Sequence, residues 1–239
     1  MQDINKIRKL SLWIFIVPVV IINLCLFISV NYEFLEGTIF TVDAIGKSGF
    51  TIPYIDGGLS ISRASRTYPT YLLFKPGMII TSLILIRYWN TNNNLVKKIL
   101  DNQTGNNVFR IFGILSAIFL IIHAIFLGIS FEYDLYKFFR RFMLVGFILF
   151  ELIAQGMLIF KLIKIRNKIE NYINGIVLKL KTALVSILVI VALVSIPILV
   201  TTDYTHFKHA LEWNYFIGVV TFYLLTFFFW KKPIKNEKF

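Results

Sequence analysis

Phe142-Met143-Leu144-Val145-Gly146-Phe147-Ile148-Leu149-Phe150-Glu151-Leu152-Ile153-Ala154-Gln155-Gly156-Met157-Leu158-Ile159-Phe160 is the stretch on which the fold turns. It is long enough to cross about 30 Å of hydrocarbon, which takes about 20 mostly apolar residues. Yet it carries a carboxyl group and a carboxamide, so hydropathy alone leaves its place open. Five other runs are clearer: Leu10–Val30, Thr70–Tyr88, Val108–Ser130, Thr182–Val200 and Leu211–Trp230. With Phe142–Phe160 included the count is six, and the basic residues decide that it belongs.

The flanks Met1–Lys9, Arg87–Arg110, Lys161–Lys181 and Lys231–Phe239 hold 17 of the 25 Lys and Arg residues. The alternate flanks, Asn31–Lys75, Phe131–Arg141 and Thr201–Glu212, hold 8. Acidic residues run the other way, 4 against 8, with Glu151 left inside a span. Positive charge collects on the cytoplasmic side of membrane proteins, and only an even count keeps this alternation. The expected architecture is therefore an all-α bundle of six transmembrane helices over residues 1–239, forming one membrane domain with both termini cytoplasmic.

Composition agrees. Hydrophobic residues make up 57% of the chain and charged residues 16%, against roughly 25% charged in soluble domains. Mean hydropathy is +0.72. The net charge of +12 lies in short clusters between apolar runs, with no basic face interleaved with aromatics. Nucleic acid is therefore rejected as a partner and membrane lipid expected. The single cysteine, Cys25, excludes an internal disulfide and a thiolate metal cage. Lys6, Arg8 and Lys9 resemble a signal-peptide n-region, but the run that follows is longer than the usual 7–15 apolar residues. A retained anchor is expected.

Trp13, Tyr88, Trp89, Trp213 and Trp230 lie near span ends and are expected as interfacial anchors. The sequon at Asn102 falls in an expected cytoplasmic loop and reads as a chance match. Asn90–Asn94 and Lys161–Lys181 read as solvated connectors. Residues 31–69 form the longest segment outside the spans, and a segment of that length implies a folded cap. The two halves show no internal repeat, and Pro18 and Pro197 are expected to be mild kinks.

An ionisable group in hydrocarbon costs about 2.5–3.5 kcal/mol or more, so each needs a reason. At 1.5 Å per residue, Lys75 lies about 8 Å below the outer end of its span, His123 about 10 Å and Glu151 about 14 Å. Glu151 and Gln155 are four apart and share a helical face. Asp203, His206, His209 and Glu212 stand at the outer start of the last span. All eight residues fall in or just beneath the outer half, and one shared polar site is the expectation. The bland alternatives are a carboxyl tying helices together, a snorkelling lysine and a polar helix start. The repeat of three in the last group spirals around a helix, so it makes no metalloprotease motif and no metal is expected. No cofactor motif and no recognisable catalytic motif is present.

Pro53-Tyr54-Ile55-Asp56-Gly57-Gly58, then Pro69 and Phe74, resembles the first outer loop of the DRAM-like family, which joins autophagy modulators and a GPI-anchor lipid-remodelling factor. His123 and the Glu212-Trp213 pair are similar to positions in that family. No serine precedes Asp56, and Thr70 stands where the family favours glutamate. The resemblance implies six spans, Pro53, Tyr54 and Asp56 as the signature of the cap, and lipid handling or sensing at the outer leaflet. A non-catalytic scaffold or regulator and a proton-coupled transporter using Glu151 are the other readings. The latter lacks support in the inner half, where the sequence offers few polar residues.

Overall fold

In α1 (Gln2–Val30), Ile4, Ile7, Ser11, Ile14, Pro18, Ile22 and Cys25 are buried. Steps of three and four put them on one stripe, while Trp13, Val20, Leu24 and Phe27 stay exposed. The buried stripe packs on α3 (Thr70–Leu100) and α8 (Thr205–Phe229). The computed structural model describes residues 2–41, 49–100, 108–129, 134–201 and 203–231. The remaining long helices are α4 (Val108–Phe126), α5 (Asp134–Lys164) and α7 (Gly175–Val200). Two short helices, α2 (Ile61–Arg66) and α6 (Arg166–Ile169), join them. Six helices are long and apolar enough to cross a membrane, as expected, and no strand occurs among the described residues. The chain is a multi-pass, all-α membrane protein.

The six long helices close into a ring. α1 touches α3, α3 touches α4, α4 touches α5, α5 touches α7, α7 touches α8, and α8 returns to α1. Four seams bring a glycine beneath a bulky side chain: Gly77 under Ile21, Gly113 under Trp89, Gly146 under Phe119 and Gly218 under Leu188. Small residues matter here because association in hydrocarbon rests on close packing rather than on expelling water. A Cβ at Gly113 would sit 2.3 Å from the Trp89 ring, so that seam admits no larger residue.

The helices outrun the hydropathic spans, which corrects several expectations. α3 continues to Leu100, and its Thr91, Asn92 and Asn93 are buried instead of forming a solvated connector. Asn92 returns its amide to the Tyr88 carbonyl over 2.9 Å. The 161–181 run is also no plain connector. Leu162, Ile165, Ile169 and Ile173 are buried, and Asn174 N–H donates to the Phe229 carbonyl over 2.8 Å. Lys181 lies within α7 and is fully buried. Of the five expected interfacial aromatics, only Trp13 is exposed. Tyr88, Trp89, Trp213 and Trp230 lie inside the protein, because α3 extends past its span and the cap covers the start of α8. The sequon at Asn102 lies outside the described residues.

One end of the ring, where α1 begins and α8 ends, is the base. There Arg8 Nη1 donates to the Trp230 carbonyl, and Lys98 pairs with Asp3 at 2.6 Å. The opposite end carries a cap whose described parts are residues 31–41 and 49–69, the latter including α2.

Candidate functional site

The cap is organised by Asp56. Its Oδ1 accepts from Thr51 Oγ1 at 2.6 Å and Gly58 N–H at 2.8 Å, and its Oδ2 accepts from Ile52 N–H at 2.8 Å. These bonds, the Thr51 hydroxyl first, hold its carboxyl below the usual aspartate range. Pro53 is buried, and its carbonyl receives Gly57 N–H at 3.2 Å, closing the turn. Gly57 has φ +61°, and a Cβ there would lie 1.7 Å from the His206 carbonyl oxygen. Only glycine suits that place.

The turn docks on α1 and α8. Tyr54 OH donates to Asn23 Oδ1 over 3.0 Å, and its ring meets Trp213 edge-on at 4.9 Å. Burial raises the Tyr54 phenol above its usual range. Trp213 Nε1 donates to the Leu59 carbonyl at 2.7 Å, and Asn214 Nδ2 to the Tyr54 carbonyl at 2.7 Å. His209 Nδ1 lies 2.9 Å from the Gly57 carbonyl. The Glu212 carboxyl faces the backbone N–H groups of Ile61 and Ser62 at the start of α2. The Asp203–Glu212 run is thereby divided: His209 and Glu212 hold the cap, while the side chains of Asp203 and His206 stay exposed. Among the described residues, no three His, Cys, Asp or Glu side chains converge on a point.

Glu151 belongs to a different place. It is fully buried, and donors from three helices meet its oxygens. Ser116 Oγ of α4 donates to Oε2 at 2.6 Å, Gln155 Nε2 of α5 to Oε1 at 3.0 Å, and Tyr223 OH of α8 to Oε1. Gln155 also reaches the Val219 carbonyl at 3.4 Å. Tyr223 packs edge-on against Tyr88 at 5.0 Å, and Tyr88 OH lies 3.4 Å from Thr226 Oγ1. Thr226 in turn accepts from Lys181 Nζ at 2.8 Å. The lysine nitrogen sits 4.0 Å from the centre of the Phe222 ring, a cation–π arrangement. α3, α4, α5, α7 and α8 therefore each send a polar side chain into the centre of the ring. Trp89 Nε1 and Gln155 Oε1, a donor and an acceptor at this centre, are buried without partners.

The single outer-half site expected from depth is thus four separate environments: the cap seat, the Glu151 centre, and the surroundings of His123 and of Lys75. His123 is buried in α4, with Nδ1 3.3 Å from the Arg140 carbonyl. Lys75 is half-buried, its Nζ 5.3 Å from the centre of the Tyr71 ring. Neither is bonded to Glu151, whose partners lie toward the base. Depth along one helix is readable from a sequence; rotation toward a particular neighbour is not. Lys181 was missed for a related reason, since its place in a run of six basic residues marked it as flank. Its only local signal is apolar flanking, with Leu178, Leu180, Ala183 and Leu184 around it.

No family model, curated protein or solved structure matches the chain.

Proposed function

We propose that this membrane protein handles or senses lipid at the leaflet nearest its cap, the role that the DRAM-like resemblance implies, with both termini on the cytoplasmic side. One observation carries the reading. Outside the six spans, Phe34, Ile39, Phe50 and Ile55 are 76–86% exposed. They lie in the segment between α1 and α3, outside the spans, where water would otherwise meet them. Removing one such side chain from water is worth about 1.5–3 kcal/mol, so the cap gains by lying in the bilayer interface. The Asp56 turn keeps it rigid there. A lipid meeting the protein at this level touches apolar side chains and the polar backbone of the cap together.

The test is direct. Spin labels at positions 50 and 55, in protein reconstituted in vesicles, report exposure to lipid-soluble or water-soluble relaxation agents. Lipid-phase exposure is expected, together with a severalfold fall in co-purified lipid for Phe50→Ser/Ile55→Ser. Labels open only to the aqueous agent, with retained lipid unchanged, would end the lipid reading.

The polar centre favours a second reading, proton-coupled transport through Glu151. It rests on the buried series Glu151, Tyr223, Tyr88, Thr226 and Lys181, which supplies polar groups on the base side of the carboxyl. Proton uptake by proteoliposomes that disappears in Glu151→Gln would favour it; equal uptake by vesicles without protein would remove it.

A further inference from the structure

We propose that Arg63, Arg66 and Arg140 form a binding site for a phosphate-class anion beside the end of α4. The inference deepens the lipid reading and rests on it only as to the source of the phosphate. Arg63 and Arg66 are one turn apart on α2, on the same side of that short helix. Arg66 is brought to the end of α4 by Gly128: with φ +84°, a Cβ there would lie 2.9 Å from the Arg66 carbonyl oxygen. Arg140, near the start of α5, reaches the same corner. Its carbonyl faces His123, and its guanidinium carbon lies 5.2 Å from the centre of the Tyr136 ring. Tyr136 OH is itself tied to the Phe126 carbonyl in the last turn of α4.

Three features make this corner a binding site instead of a solvated basic surface. The cations are close enough to repel: Arg66, though exposed at the surface, is held below its usual range by partial desolvation, then by the charges of Arg140 and Arg63. Among the described residues no carboxylate pairs with any of the three; the ion pair found there joins Lys98 and Asp3 at the base. Arg140 Nε is buried and without a hydrogen-bond partner. Among the described residues these like charges have no counter-charge, an unfavourable arrangement that an anion relieves. Guanidinium groups match phosphate oxygens with paired, charge-assisted bonds. The corner sits where α4 ends and α5 begins, at the end of the bundle that carries the cap. A lipid phosphate and free inorganic phosphate present the same chemistry.

The experiment uses the full chain in a neutral detergent. Binding is measured by thermal shift and by titration with short-chain phosphatidylglycerol, short-chain phosphatidylcholine and inorganic phosphate. Phosphatidylglycerol is expected to bind at least about tenfold more tightly than phosphatidylcholine. Arg66→Gln and Arg140→Gln should each erase most of that preference, and Arg66→Lys should restore part of it. Arg66→Gln alters an exposed side chain and keeps the test sound if Arg140→Gln fails to fold. Arginine-dependent binding of inorganic phosphate alone upholds the anion site and removes the lipid source. Lipid retention that depends on Phe50 and Ile55 but not on the arginines overturns the anion site and leaves the lipid reading standing. Equal binding of all three probes by wild type and Arg66→Gln also overturns it.

Discussion

Lys181 Nζ donates to Thr226 Oγ1 over 2.8 Å in a place that water does not reach. The hydroxyl is the hydrogen-bond partner of that ammonium group, and the Phe222 and Phe229 rings flank it at 4.0 and 5.2 Å. A hydrogen bond to a charged group is worth about 1.5–3 kcal/mol, and stranding one partner costs more than removing both. Thr226→Val should therefore destabilise the protein by at least about 1.5–3 kcal/mol. Adding Lys181→Met should recover much of the loss. Thermal unfolding of the single and double variants in one detergent measures this, and a double variant less stable than Thr226→Val would contradict it.

Glu151 gives a graded series. Glutamine keeps one accepting oxygen but puts an NH2 group where a second donor arrives; leucine offers nothing to Ser116, Tyr223 or Gln155. Each buried polar group left unpaired costs about 1–3 kcal/mol. Glu151→Leu should lose several kcal/mol and Glu151→Gln clearly less, read as melting temperature at equal expression. Restoring stability in Glu151→Leu by adding Ser116→Ala and Tyr223→Phe would show that the unpaired donors are the cause.

Gly57 and Gly37 both have positive φ, +61° and +76°, but only Gly57 is hemmed in. Gly37→Ala should cost about 1 kcal/mol of backbone strain. Gly57→Ala must also displace the His206 carbonyl, and the cap should come away from α8. Limited proteolysis between residues 49 and 66 should speed up sharply for Gly57→Ala and little for Gly37→Ala.

Asp56 sets the pH behaviour of the cap. Its carboxyl is lowered in the folded protein, foremost by Thr51 and then by the Gly58 and Ile52 amides. A group depressed in this way contributes fully above its unfolded value of about 4, and the contribution is lost as pH falls through the lower folded value. Protection of the Ile52 and Gly58 amides against hydrogen exchange, corrected for intrinsic rates, should be flat from neutral pH to about 4 and fall below it. Asp56→Asn should abolish that fall. A midpoint above the unfolded value would reverse the assignment.

What the sequence could and could not reveal follows from the range of its signals. Hydropathy and the sidedness of Lys and Arg act over whole segments, so the six helices were legible. Glu151 with Gln155 was legible as a local pair four residues apart. Ser116 and Tyr223 were not, being 35 and 72 residues from their partner. The cap motif stood out by its glycines and Asp56, whereas the residue it docks on, Trp213, looked like an ordinary boundary tryptophan. Lys181 shows the other failing: a charge counted by its neighbourhood in sequence was assigned to water, while seven residues of helix had already carried it inside.

The seam between α1 and α8 joins the first of the six described spans to the sixth. Tyr223 and Thr226 come from α8, as does Trp213 beneath the cap. During insertion, Glu151 and Lys181 must therefore wait in the membrane without these partners, and the cap must wait without its seat. One helix, α8, thus satisfies both the polar centre and the cap at once.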